Sequence, residues 1–252
     1  MIISYRHRFI FVHCRKVAGS ALTAYLNRFL GPADLQVGSW QNALANGGSL
    51  NRRFIRDLIS PKCLTSLALR TVRKRRINGS MLNNAHKQIY RRALGSDPAH
   101  PRATELRSFD PVAWEQHFKF CFVRNPYERV VSDYIWRVQS RGVDVSFRSY
   151  LERVADRSKP DPEQVVPRDP DNWPLYTIDG KIAVDFVGRY ETLEVDFGEV
   201  CERLGLPFRR ADLPVAKRKV SDYKYRDWYG SVEKQLVAKI FFSEIEAFEY
   251  AY

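Results

Sequence analysis

The chain has 252 residues, 44% hydrophobic and 13% aromatic, which suits one globular domain with a substantial core. No apolar run approaches a membrane span. The opening Met-Ile-Ile-Ser-Tyr-Arg-His-Arg also lacks the apolar stretch and cleavage site of a secretory signal, so a cytoplasmic protein is expected. The formal charge of +12 is concentrated, with twelve Lys and Arg between Leu50 and Arg92 against the single acid Asp57. Such a segment suits an anionic partner (nucleic acid, lipid surface or acidic glycan) or forms a solvated basic face. Four cysteines, Cys14, Cys63, Cys121 and Cys201, show no paired spacing and no pattern with the five histidines, which predicts buried thiols and no metal site.

In chain order, Phe9-Ile10-Phe11-Val12 predicts a strand. A loop and a helical stripe at Ala21, Leu22, Tyr25, Leu26, Phe29 and Leu30 follow, stopped by Gly31-Pro32. Residues 31–85 form a basic helical insertion, with Ile55, Leu58 and Ile59 and then Leu64, Leu67, Ala68 and Val72 marking two amphipathic helices. A second strand, Phe118 to Val123, runs through Arg124-Asn125-Pro126 into a helix with Tyr127, Val130, Val131, Tyr134, Ile135 and Val138 inward. Phe147 to Val154 reads as a helix, and Lys159 to Pro174, with five prolines, as an irregular loop. A third unit pairs Val184–Tyr190 with a helix carrying Phe197, Val200, Cys201 and Leu204, closed by Gly205. One helix is expected over Ser231–Tyr250. Alternating strands and helices predict a single α/β domain over 1–252, with a mainly parallel sheet covered on both faces.

Two turns carry the chemistry. A strand-to-helix loop offers free N–H groups and the positive end of a helix dipole to an anion. Cys14-Arg15-Lys16-Val17-Ala18-Gly19-Ser20 stands in such a loop, where Gly19 permits close approach, Lys16 adds a charge and Ser20 a hydroxyl. A triphosphatase loop would place its lysine after the glycines, and here Lys16 precedes the only one. Arg124 at the strand end and Ser132 in the following helix make a second anion site, with Ser132 on the side of Glu128 and Arg129.

Together these stretches resemble the donor-binding signature of sulfotransferases that use 3′-phosphoadenosine 5′-phosphosulfate (PAPS). Phe9 to Ser20 is similar to the 5′-phosphosulfate loop of that family, and Phe118 to Tyr134 to its 3′-phosphate element. Asp185 to Leu193, with Asp196-Phe197, resembles a block of the carbohydrate-type branch, which includes chondroitin and heparan sulfotransferases and bacterial members. The resemblance implies a P-loop-like three-layer α/β/α fold and a sulfonate transfer from PAPS to a hydroxyl of a carbohydrate or glycolipid. It implies that the backbone of Lys16, Val17, Ala18, Gly19, Ser20 and Ala21 holds the 5′ group, that Lys16 neutralises the leaving oxygen, and that Arg124 and Ser132 hold the 3′-phosphate. No metal is needed on this scheme.

The acceptor proton needs a base, and histidine suits neutral pH. His86 resembles the histidine of bacterial members, and His13 is a rival by position. Trp173 can stack on a sugar, and Arg189 either contacts a ligand or pairs with Glu191. Three departures stand out: Arg15 replaces the usual proline, Ala21 replaces a hydroxyl residue, and Asn172 replaces the histidine of a His-Trp-x-Pro element. The basic segment would line the acceptor cleft or lean on an anionic membrane, and Lys217 to Tyr225 would close over the donor. The alternative function is a basic nucleic-acid-binding protein without transferase activity, against which stand the lack of an aromatic platform and of any nucleic-acid motif.

Overall fold

Aromatic and β-branched residues at alternate positions make strands that can be buried on both faces. A computed structural model describes residues 1–61, 63–65, 79–213 and 224–252. Its strands are Ile2–Ser4 (β1), Phe9–Val12 (β2), Leu35–Gln36 (β3), Phe118–Val123 (β4), Thr177–Ile178 (β5), Lys181–Ile182 (β6) and Phe186–Arg189 (β7). Five of them join in the order β3-β1-β2-β4-β7, while β5 and β6 form a separate hairpin. The two strands predicted to lead into anion-binding turns are direct parallel neighbours, with Phe9 opposite Phe118 and Val12 opposite Cys121. β1 is antiparallel to both β2 and β3, so the sheet is mixed. The two-residue and three-residue strands are too short to leave a readable alternation.

The helices are Gly19–Asn27 (α1), Trp40–Ala45 (α2), Arg52–Leu58 (α3), Gly79–Tyr90 (α4), Ala103–Phe109 (α5), Pro111–Gln116 (α6), Pro126–Arg137 (α7), Phe147–Ala155 (α8), Trp173–Tyr176 (α9), Leu193–Arg203 (α10), Ser231–Ile240 (α11) and Phe242–Phe248 (α12). Two compact units result, Met1–Phe122 with Pro174–Ala216 and Val123–Trp173 with Lys217–Tyr252.

In the first unit the phenylalanines of β2 and β4 stack, Phe120 lying 5.7 Å from Phe9 and 5.3 Å from Phe11 between ring centroids. Phe122 meets Phe197 of α10 at 6.1 Å, and Phe197 meets Tyr25 of α1 edge-on at 5.3 Å, so both helices are keyed to aromatic rings. Asp34, 1% exposed, ties the turn after β1 by accepting from Ser4 Oγ at 2.6 Å and from the Tyr5 and Gly31 amides at 2.8 Å.

α3 departs from the expected orientation. Its buried residues are Phe54 and Asp57, whereas Ile55 and Ile59 are 50% and 66% exposed. The ring of Phe54 lies tilted against Trp40 at 4.0 Å, and Asp57 is drawn inward by hydrogen bonds from α4, which outweigh the isoleucines. Apart from Leu64, the second expected amphipathic helix, through Val72, lies outside the described residues, as do Arg73 to Arg76 and residues 217–223 of the late basic stretch. All four cysteines are buried and free.

The second unit forms around α7, α8 and α11, with Val130, Val131, Tyr134, Phe147, Tyr150 and Val237 in its core. The helix expected over Ser231–Tyr250 is two helices, broken at Phe241 (φ −114°, ψ 30°). The apolar spacing runs through the break, so periodicity could not register it. Arg129, expected on the exposed side of α7, is 3% exposed. It binds Glu244 at 2.8 Å, donates to the Pro170 carbonyl at 3.0 Å and lies over the Phe241 ring at 4.5 Å. A buried ion pair that loses one charge leaves the other uncompensated. Glu244→Gln is therefore expected to cost roughly 3–5 kcal/mol, read as a lowered urea midpoint at unchanged m-value.

Candidate functional site

The turn after β2 is strained in a way that suits an anion. Lys16 and Ala18 both sit in the left-handed region, at φ 63° and 61°, and neither is glycine. Each costs about 1–2 kcal/mol relative to ordinary backbone, and such strain gathers at ligand-binding turns. Ala18 is the N-cap of α1, and no side chain caps that helix. The Ala21 N–H turns back to the Ala18 carbonyl at 2.8 Å, and the alternating hands of backbone from Lys16 to Ala18 make an anion-binding nest ahead of it. Lys16 and Ser20 are partly exposed and Val17 is buried.

Gly19 serves packing. A Cβ built there would lie 2.1 Å from Cδ2 and Nε2 of His13. The His13 ring cannot retreat easily, since it stacks on Phe11 at 5.7 Å and meets His100 at 4.5 Å. His100 Nδ1 bonds the His13 carbonyl at 2.6 Å. Burial drives His13 well below the ordinary histidine range and His100 to about 3, so both rings are neutral near pH 7. Beside them Asp97 accepts from Lys87 at 3.2 Å and pairs with Arg15 at 3.6 Å. Burial opposes the Asp97 charge, but His100, which is charged only in the acid range where Asp97 titrates, together with Lys87 and Arg15, prevails and lowers its pKa to about 2. Arg15 thus ties the loop electrostatically to Asp97.

His86 lies deep in the first unit at 1% exposure. Its Nε2 faces Asp57 Oδ2 at 3.2 Å, and the Tyr90 hydroxyl donates to the same oxygen. Burial would raise the Asp57 carboxyl, yet the hydrogen bonds from His86 and Tyr90 hold it below its usual range. Neither Asp57 nor Tyr90 was singled out in the sequence. The available signal was their spacing: Tyr90 is one helical turn after His86, and Asp57 is the sole acid in a basic stretch.

Arg124 and Ser132 fall in the second unit, Arg124 before the N-cap Asn125 of α7 and Ser132 within the helix. Both are buried, at 6% and 5% exposure. Arg124 NH2 holds Glu128 Oε1 at 2.5 Å, an i,i+4 pair. A guanidinium has five N–H donors, so this pairing does not exhaust it. Ser132 is thus on a less open face than its expected neighbours suggested. Trp173, in the second unit, packs edge-on to Phe248 at 6.5 Å, and Asn172 beside it is fully buried. Arg189, in the first unit, is exposed, with its backbone N–H held by Asp196 at 2.6 Å. Among the described residues no group of three or more His, Cys, Asp or Glu is arranged to hold a metal, and no helix is long and apolar enough to cross a membrane.

The family model described as "Sulfotransferase family" matches residues 1–251. The chain is 32% identical over 119 residues to an uncharacterised protein of Archaeoglobus fulgidus, covering 45% of this chain and 86% of that one. It is 33% identical over 120 residues to the carbohydrate sulfotransferase 14 of Mus musculus and of Homo sapiens, covering 37% of this chain. The match takes in 30% of the length of those two proteins. No solved structure matches the chain significantly.

The Gly19–His13 approach is testable on its own. Overpacking costs typically about 1–3 kcal/mol, so Gly19→Ala is expected to lower Tm and weaken binding of 3′-phosphoadenosine 5′-phosphate. Adding His13→Ala should return both toward the parent, as calorimetry and thermal melts would show.

Proposed function

The chain belongs to the sulfotransferase family, and from that premise we propose that it transfers a sulfonate from PAPS to a hydroxyl of a carbohydrate or glycolipid. The observation that carries this reading is the turn after β2, with two left-handed non-glycine residues beside an uncapped helix N-terminus. That arrangement fits the 5′-phosphosulfate of the donor, and on this reading the fold is the three-layer P-loop-like one. The backbone from Lys16 to Ala21 binds the 5′ group, and the Lys16 ammonium neutralises charge on the departing oxygen. Arg124 and Ser132 bind the 3′-phosphate, which competes with Glu128 for the guanidinium. The bound donor supplies an activated sulfonate; the chain orients it and accepts a proton, and positioning plus electrostatics supply the acceleration.

The likeness to carbohydrate sulfotransferases over part of the chain supports a carbohydrate acceptor. Trp173 and Arg189 remain the proposed acceptor contacts, and the basic segment the surface toward an anionic acceptor or membrane.

Calorimetry with 3′-phosphoadenosine 5′-phosphate tests the donor. The parent should bind it and bind adenosine 5′-phosphate far more weakly, and Lys16→Ala and Arg124→Ala should each weaken the first about tenfold or more, as the loss of a charge-assisted contact predicts. A folded parent that ignores the nucleotide, or binds nucleic acid with steep salt dependence instead, overturns the reading. Reversing the charges of Arg73, Lys74, Arg75 and Arg76 should raise the acceptor KM or abolish sedimentation with phosphatidylserine vesicles. If both stay unchanged, the basic segment is only a solvated face.

A further inference from the structure

Four rings from three helices close around one carboxylate. Trp40 opens α2, Phe54 belongs to α3, and His86 and Tyr90 lie one turn apart on α4. The centroid of His86 is 4.7 Å from Phe54, 5.3 Å from Tyr90 and 6.2 Å from Trp40, all in edge-to-face contact. At their side Asp57 Oδ2 receives both His86 Nε2, at 3.2 Å, and the Tyr90 hydroxyl.

An ionised carboxylate only accepts hydrogen bonds, so the nitrogen facing it must be the one bearing hydrogen. In the neutral ring this leaves Nδ1 with the lone pair. Nδ1 is buried and has no hydrogen-bond partner among the described residues, and the same is true of Trp40 Nε1. One atom is an acceptor lacking a donor; the other is a donor lacking an acceptor. Buried polar groups are rarely left so in native proteins, and two on adjoining rings ask for one occupant. A carbonyl could satisfy only the tryptophan and an ammonium only the histidine. A hydroxyl donates and accepts, and can satisfy both.

The geometry points to Asp57 as the positioning residue that holds His86 in the Nε2–H form, and to His86 Nδ1 with Trp40 Nε1 as the seat of the acceptor hydroxyl. This rests on the sulfotransfer reading above. As the hydroxyl oxygen bonds to sulfur, its proton passes to His86 Nδ1, and the bond from sulfur to the bridging 5′-phosphate oxygen breaks with its electron pair on that oxygen. Asp57 stabilises the resulting imidazolium, as a carboxylate does in other histidine dyads. His86 and Trp40 are 1% and 2% exposed, so the acceptor hydroxyl, or a water in its place, arrives only as a neighbouring group moves aside.

The test uses the whole chain, labelled with ¹⁵N and saturated with 3′-phosphoadenosine 5′-phosphate. Long-range ¹H–¹⁵N spectra, with His86→Gln to assign the ring, should show the Nε2–H tautomer in the parent and its loss or mixing in Asp57→Asn. Release of ³⁵S-sulfate from labelled PAPS, with water as acceptor, should fall about 10²-fold in Asp57→Asn, the scale of general-base catalysis. Nucleotide affinity should be unchanged. Trp40→Phe, which keeps a ring and removes the N–H, and Tyr90→Phe, which keeps the carboxylate charge, should each slow release several-fold and guard against a misfolded Asp57 variant. An Nδ1–H tautomer in the parent, or an Asp57→Asn protein that melts earlier yet releases sulfate at the parent rate, overturns the proposal. A parent that binds no nucleotide fails the donor reading instead, and its tautomer, read without nucleotide, still decides the role of Asp57.

Discussion

The parallel pairing of β2 with β4 is the constraint on which the rest hangs. Phe9 to Val12 and Phe118 to Cys121 lie opposite one another along the ladder, and their rings fill the space beneath the flanking helices. β2 and β4 run in the same direction, and in chain order each is followed by a helix. The first exit has to turn within a few residues, and it does so by placing Lys16 and Ala18 in left-handed backbone. His13, still in line with the strand, projects under the start of α1, which is why position 19 admits no side chain. The strain and the close approach are thus consequences of how little chain separates strand from helix.

Polar groups in the interior are the second theme. Arg129 and Glu244 are buried as a pair in one unit, and Asp57 is held by His86 and Tyr90 in the other. In each case an ionised group overrides the amphipathic pattern of its helix: α7 turns an arginine inward, and α3 turns an aspartate inward while exposing two isoleucines. A carboxylate that gains hydrogen bonds from fixed donors can outweigh partial burial of an aliphatic side chain, since an unmet buried charge costs more than an exposed methyl group.

Two positions near the anion-binding turn and the Pro-rich loop are settled by their local surroundings. Arg15 is anchored by Asp97, which Lys87 also holds. Asn172 is fully buried, and its amide is no base at any exposure.

By itself the sequence determined the strands Phe9–Val12 and Phe118–Val123, the helices after them, and the family, because dense apolar runs and two long turn motifs are local signals that survive without knowledge of partners. α8 and the buried thiols were legible too. Only the tertiary structure decided that β1 and β3 add an antiparallel edge, that the last helix breaks at Phe241, that α3 faces inward through Phe54 and Asp57, and that His86 has Asp57 and Tyr90 as partners. Those outcomes depend on groups far apart in the chain, Asp57 and His86 being 29 residues apart. A hydrogen bond formed across such a distance leaves no periodicity to read, because its energy exists only once the fold has brought donor and acceptor together.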